Sequence, residues 1–237
     1  MSVTITFLGG ADTVTGSKYL IEHQHQRVLV DCGLFQGYKQ LRLRNWAPLP
    51  VVPQHIDAVL LTHAHLDHSG YVPLLVKEGF AGRIHATSGT VDLCRILLPD
   101  SGHIQEEDAA FANRHGFSKH SPALPLYTRQ HALDSLRHLR AEHIGQWFEP
   151  LPGWKARFQP AGHILGAASL LLEVGGRRIL FSGDLVEFDA TPYAGDAYFN
   201  DWPATLDAVE ALKPAQLVPG RGAALKNEAE VAAGIRG

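Results

Sequence analysis

Apolar and polar residues alternate with a period of two from Val3 to Leu8, and four of the six are β-branched, which predicts a strand. Lys18 to Glu22 and Arg27 to Asp31 read as two more strands, joined by the polar turn His23-Gln24-His25-Gln26. The continuous apolar run Ile56 to Thr62 predicts a strand covered on both faces. Tyr71 to Glu78 follows as a helix stopped by Gly79, then Arg83 to Ala86 as a short strand. Ser88 to Leu98 predicts a helix with Ser88 as its cap, Ile104 to Arg114 a second and acidic one, and Thr128 to Leu139 a third with Thr128 at the N-cap. Trp154 to Gln159 is a strand; Ala168 to Val174 and Arg177 to Ser182 form a hairpin around Gly175-Gly176. Asp201 to Leu212 is a helix, and Gln216 to Val218 a short strand ending in Pro219-Gly220-Arg221-Gly222. Strands first, then mixed strands and helices, predict an α/β sandwich of two sheets flanked by helices.

Composition narrows the class. The 237 residues suit one domain, residues 1–237, and 45% hydrophobic with 19% charged residues is an ordinary globular balance. No stretch reaches the roughly 18 apolar residues of a membrane span, and Met1 to Phe7 lacks the basic region of a signal peptide. Two cysteines, Cys32 and Cys94, predict reduced thiols in a cytoplasmic protein. A net charge of −3 speaks against an overall basic nucleic-acid binder, although a local basic groove is compatible with it.

Histidine is over-represented, with 14 residues, and its arrangement carries the chemistry. His63-Ala64-His65-Leu66-Asp67-His68 packs four potential ligands into six residues, where an apolar strand meets a helix. In extended backbone His63 and His65 project to one side, while the adjacent Asp67 and His68 diverge, so one pair would serve one metal and the other pair a second. Imidazole and carboxylate together suit zinc, with manganese or iron as alternatives. Two ions about 3.5–4 Å apart would clamp and acidify a shared water. More ligands are needed, and His163 in Ala161-Gly162-His163 and Asp184 in Ser182-Gly183-Asp184 qualify, each in a loop after a strand. Asp31, ending its strand, would accept a hydrogen bond from a ligand histidine. The acidic run Glu106-Glu107-Asp108 reads as a solvated helix face, and His115, His120, His131, His138 and His143 as surface residues.

With these residues the chain resembles the metallo-β-lactamase superfamily. The resemblance implies a four-layer αββα sandwich. It assigns His63, His65 and His163 to a first metal, and Asp67, His68 and a bridging Asp184 to a second. Asp67 would also orient or deprotonate the attacking water. From about Thr4 to Asp184 the chain is similar to the β-CASP branch, the RNase J and mRNA 3′-end nuclease relatives. That similarity rests on Val14-Thr15-Gly16-Ser17, on Val30 to Gly37, on the histidine motif, on Gly102 to Glu107, on Pro122 to Thr128, and on Ala161 to Gly166. It implies hydrolysis of RNA or related phosphodiesters.

Two departures qualify the resemblance. The tail, Asp201 to Asp207 with Leu217 to Gly222, resembles stand-alone small-substrate members, so the chain reads as a hybrid without the β-CASP domain. In many members the Pro-Gly-X-Gly turn carries a histidine ligand of the second metal; here it carries Arg221, which has no lone pair to offer. Arg221 would instead hold an anionic group of the substrate, and the second metal would bind weakly. Three readings stay open: a phosphodiester hydrolase, a hydrolase of small lactams, lactones or thioesters, and a scaffold with a weakened site. Iron-oxygen members typically carry Glu at the position of His65, which argues against redox chemistry. The expected partners are a nucleic-acid or small-molecule substrate and no membrane; the sequence leaves the oligomeric state open, a homodimer included.

Overall fold

The computed structural model describes residues 2–10, 13–188 and 200–236. Six strands form a first sheet: β1 (Val3–Gly9), β2 (Lys18–His23), β3 (Gln26–Val30), β4 (Ala58–Leu60), β5 (Arg83–Thr87) and β6 (Leu139–Glu142), in that spatial order. Its first three strands are antiparallel neighbours and the rest run parallel. The second sheet has five strands, β7 (Trp147–Phe148), β8 (Lys155–Pro160), β9 (Ala168–Val174), β10 (Arg177–Phe181) and β11 (Gln216–Val218), ordered β11-β10-β9-β8-β7.

The period of two decides the layering. On β3, Val28 and Val30 face the second sheet, packing with Phe158, Leu170, Leu172, Ile179 and Phe181, while Leu29 between them joins the opposite layer. That layer is closed by α3 (Val72–Lys77), α4 (Ser88–His115) and α5 (Arg129–Ser135), whose apolar sides meet Leu29, Val59, Leu61 and Ile84. On the far side of the second sheet, Leu171, Leu180 and Leu217 pack against α6 (Trp202–Glu210) and α7 (Glu228–Arg236) through Val209, Val231 and Ile235. The result is the αββα sandwich expected from the element order.

Several expectations are corrected. The two helices expected over 88–98 and 104–114 are one helix of 28 residues. Pro99 lies inside it and removes one backbone donor. The helix runs through because Cys94 and Leu98 are anchored in the core and Gly102 lies against the backbone of Thr128 and Arg129, where a side chain would collide. Its N-cap is Thr87, whose hydroxyl accepts from the Thr90 amide, not Ser88. The helix expected to Leu139 ends at Ser135, because Leu139 is drawn into pairing with Ile84 as β6. Thr128 does cap α5, in a capping box closed by the His131 ring, which gives that histidine a structural role. Glu106 accepts from the Arg129 amide at 3.0 Å, so the acidic run is not solvated throughout. The strands β6 and β7 and the helices α1 (Lys39–Leu43) and α7 lie outside the predicted set. Both cysteines are free and buried, and burial pushes each thiol up to about 12, which makes them poor nucleophiles at neutral pH. Among the described residues no helix is long and apolar enough to cross a membrane.

Candidate metal centre

Strand β4 hands the chain to the histidine motif. After Leu61 and Thr62 the backbone leaves the sheet, and His65 stands at the N-cap of the short helix α2 (Leu66–Ser69). The motif is clamped by the loop after β3 and by the residue just before β2. The Cys32 amide donates to the His68 carbonyl at 2.7 Å, the Leu34 amide to the Leu66 carbonyl at 2.8 Å, and the Ser17 amide to the Asp67 carbonyl at 2.9 Å. Gly33 sits so close to the Asp67 carbonyl that a β-carbon would overlap it, so this position requires glycine.

Two further loops complete the cluster. Gly162, at a φ of +67°, turns the chain so that the His163 ring enters the site, where it is buried. The loop is strapped to the start of α4, since the Gly166 carbonyl accepts from the hydroxyls of Thr87 at 2.5 Å and Thr90 at 3.0 Å. Asp184 follows β10 in a 3-10 turn. Gly220 of the Pro-Gly-Arg-Gly turn lies against the Gly183 carbonyl and the Asp184 carboxylate, and a β-carbon there would stand 3.0 Å from Asp184 Oδ1.

The donor atoms converge. His65 Nδ1 lies 3.1 Å from His63 Nε2 and 3.2 Å from His163 Nε2. Asp184 Oδ2 is 3.7 Å from His63 Nε2 and 3.6 Å from His163 Nε2. The four ligand atoms all lie within 4.8 Å of one another. A tetrahedral zinc with nitrogens at 2.0–2.1 Å spaces them roughly 3.3–3.4 Å apart, close to these separations. The other carboxylate oxygen, Asp184 Oδ1, is 3.1 Å from His68 Nε2, which in turn is 3.8 Å from Asp67 Oδ2. His63, His65 and His163 thus gather on one side of the Asp184 carboxylate and His68 and Asp67 on the other.

Behind the ligands stands one carboxylate. Asp31 holds a φ of +54°, a conformation costly for a residue with a side chain and one that concentrates at functional sites. Its Oδ2 is 2.8 Å from His68 Nδ1, and both its oxygens accept from the Thr62 hydroxyl, at 3.0 and 2.8 Å. Because the Thr62 hydroxyl gives its proton to Asp31, it is left to accept from His63 Nδ1, 3.0 Å away. Asp31 therefore turns the Nε2 lone pairs of both His63 and His68 toward the cluster, directly for one and through Thr62 for the other. Thr62 was absent from the sequence-derived set; its only signal there was its place immediately before the motif.

Electrostatics agree with a site that expects positive charge. Burial, then the neighbouring His68, hold His63 well below the ordinary histidine value. Burial also works against a charged His68, yet the Asp184 and Asp31 carboxylates together hold it well above that value. Asp184 would be raised by burial, but the His68, His63 and His163 rings keep it well below the usual carboxylate range. An ionised carboxylate among buried imidazoles is the donor set of a divalent transition metal.

Arg221 is a quarter of the way to being exposed and points its Nη1 at the buried Glu187 carboxylate, 3.5 Å from Oε2. The guanidinium expected to hold an anionic group of the substrate thus faces an anionic group of the chain itself.

This architecture and this cluster are those of a metal-binding α/β sandwich class. The metallo-beta-lactamase superfamily model matches residues 12–221, and the chain belongs to that superfamily. Among curated relatives, Ribonuclease TTHA0252 of Thermus thermophilus is 38% identical over 177 residues, 75% of this chain and 36% of that protein. Transcription termination factor FttA of Methanosarcina mazei is 33% identical over 189 residues, 77% of this chain and 27% of that protein. The chain thus spans about a third of the length of these relatives. An archaeal metallo-beta-lactamase superfamily protein from Sulfolobus tokodaii superposes with a TM-score of 0.59 at 15% identity, covering 99% of this chain and 85% of that one, which supports the fold. The resemblance to the nuclease branch is borne out by the relatives.

Proposed function

We propose that this chain is a metal-dependent hydrolase of phosphodiesters, with RNA as the natural substrate class, working in the cytoplasm. The observation that carries the reading is the convergence of three imidazole nitrogens from two separate loops on one buried carboxylate. His63, His65 and His163 would hold one ion, and Asp67 and His68 a second, with Asp184 between them. Ions bound there, zinc by the chemistry of the donors, would supply Lewis acidity and lower the pKa of a water molecule.

The remaining work falls to the chain's own groups. Asp67 is the most exposed carboxylate of the cluster, at 15% of its side chain, so it can meet a water entering from solvent, orient it and take its proton. Asp31 and Thr62 hold the rings of His68 and His63 in place, so their orientation is set before a metal binds. Arg221 contributes charge without a lone pair, so the second position has three protein donors where the first has four. The second ion would therefore be the weaker one. The ribonuclease name of a relative favours a nucleic-acid substrate over small carbonyl compounds.

The test is hydrolysis of single-stranded RNA and of bis(p-nitrophenyl) phosphate by the protein as purified, after chelation, and after zinc or manganese is returned. Activity lost on chelation and restored by metal is the expected result. Full metal occupancy with no turnover of either compound would refute the proposal.

A further inference from the structure

A groove of about 610 Å³ opens beside the candidate metal centre, between α4 and the segment running from the loop after β3 to the 3-10 turn that carries Trp46. Its volume falls in the range of roughly 300–1,000 Å³ typical of ligand clefts. Leu66 forms part of its wall, and the residues on either side of Leu66 in the chain are the candidate ligands His65 and Asp67. Leu34, Ile104 and Leu124 make the walls apolar, and Trp46 stands at the rim with 57% of its surface exposed. An indole left this open beside a cleft offers a flat face to a flat ligand.

Charge orients the ligand. Asp100 and Asp108 line the groove, and their carboxylates would repel phosphates but accept hydrogen bonds from the amino groups of bases. Arg42 shares this lining, and the Arg44 guanidinium stacks 4.2 Å from the ring centroid of Phe35, another lining residue. Bases would enter the groove, with the sugar-phosphate backbone meeting Arg42 and Arg44.

The surface continues in register. Leu97, Ser101, Ile104 and Asp108 of the lining recur at spacings of three and four along α4, and the next positions on that face are Phe111 and His115. Their rings lie 4.2 Å apart, with Phe117 5.6 Å from Phe111, and Arg114 and Lys119 are close by in sequence. Phe111 and Phe117 are half or more exposed. Exposed rings interleaved with cations are what single-stranded nucleic acid stacks on.

We infer that this groove is a base-stacking subsite for single-stranded RNA, with Trp46 as its platform and the Phe111–His115–Phe117 cluster as a second contact along the strand. The inference rests on the nucleic-acid reading above and assigns where the strand lies.

The experiment measures binding of a fluorescein-labelled single-stranded RNA of about 12 nucleotides by anisotropy, to the protein as purified, with the RNA checked on a gel for integrity. Trp46→Ala should raise Kd by about five-fold or more, as expected for one lost stacking contact. Trp147→Ala, which removes an exposed indole from β7, should leave Kd within about two-fold. Ile104→Glu, a surface substitution that adds a negative charge to the groove wall, gives an independent variant and should weaken binding as Trp46→Ala does. Equal affinities for wild type, Trp46→Ala and Ile104→Glu overturn the subsite. So does a concentration-dependent dimer lost in Trp46→Ala while RNA affinity holds, because the groove would then receive a second copy of the chain. Groove-dependent RNA binding without any phosphodiester hydrolysis would sustain the subsite and remove the hydrolase reading. Hydrolysis of bis(p-nitrophenyl) phosphate with groove-independent RNA binding would do the reverse.

Discussion

Lys18 is a buried cation directly beneath the metal-site loop, and replacing it with methionine should change how stability depends on pH. The side chain is 1% exposed and makes one long hydrogen bond, 3.4 Å to the Gly16 carbonyl. Its ammonium lies over the rings of Phe35 and Tyr71, 4.5 and 4.8 Å from their centroids. Burial lowers its pKa from 10.5 to about 8. At about 1.36 kcal/mol per unit, a drop of about 2.5 units corresponds to roughly 3 kcal/mol of penalty on the charged form. The two cation–π contacts, worth about 0.5–2 kcal/mol each, act in the opposite direction, so about 2 kcal/mol is the upper end of the net penalty. Below pH 8 both folded and unfolded chains carry the proton, and the folded state bears the whole penalty. Between about pH 8 and 10.5 the unfolded chain holds more protons, so the lysine's contribution to stability rises with pH. Burial holds the folded Tyr19 and Cys32 above this range, and losing the Lys18 charge, which lowers Cys32, moves that thiol further up, so the difference between the two proteins across the window reports Lys18. Urea unfolding of wild type and Lys18→Met at a series of pH values gives that difference. Wild type should gain up to about 2 kcal/mol on the variant as pH rises from 8 to 10.5. A difference that stays flat over that window would show that the ammonium is fully compensated by its rings, and the desolvation argument would fail.

Other expectations follow from the geometry of the site. Thr62→Val removes the hydroxyl between His63 and Asp31 at nearly constant volume, and chelator competition should report zinc affinity lower by about 10–100-fold, with Thr62→Ser retaining it; equal affinities for wild type and Thr62→Val would remove Thr62 from the relay. Gly33→Ala drives a methyl group into the Asp67 carbonyl, and denaturant unfolding should show a loss of about 1–3 kcal/mol, with no loss meaning that the two loops are less tightly joined than their hydrogen bonds indicate.

The continuous apolar run Ile56 to Thr62 was enough to predict a strand covered on both faces, because the period of two sends Ala58 and Leu60 to one layer and Val59 and Leu61 to the other whatever lies beyond them. The short range of His63 to His68 made the ligand cluster equally legible, since residues within six positions are held together by the chain itself. Other features depended on partners far away in the chain. Pro99 ends a helix by local rules, and only the anchoring of Cys94 and Leu98 in the core and of Gly102 against Thr128 and Arg129 lets α4 continue through it. Leu139 suits a helix, and only its pairing with Ile84 makes it a strand. His163 and Asp184 were ambiguous loop residues until folding brought both within reach of His63. The Thr62 relay, the pairing of Arg221 with Glu187, and the groove between Trp46 and α4 exist only where distant segments meet. Local propensity and periodicity are properties of neighbours along the chain, whereas a tautomer, an ion pair or a cleft is a property of neighbours in space, and those were decided by the packing of the two sheets and their helices.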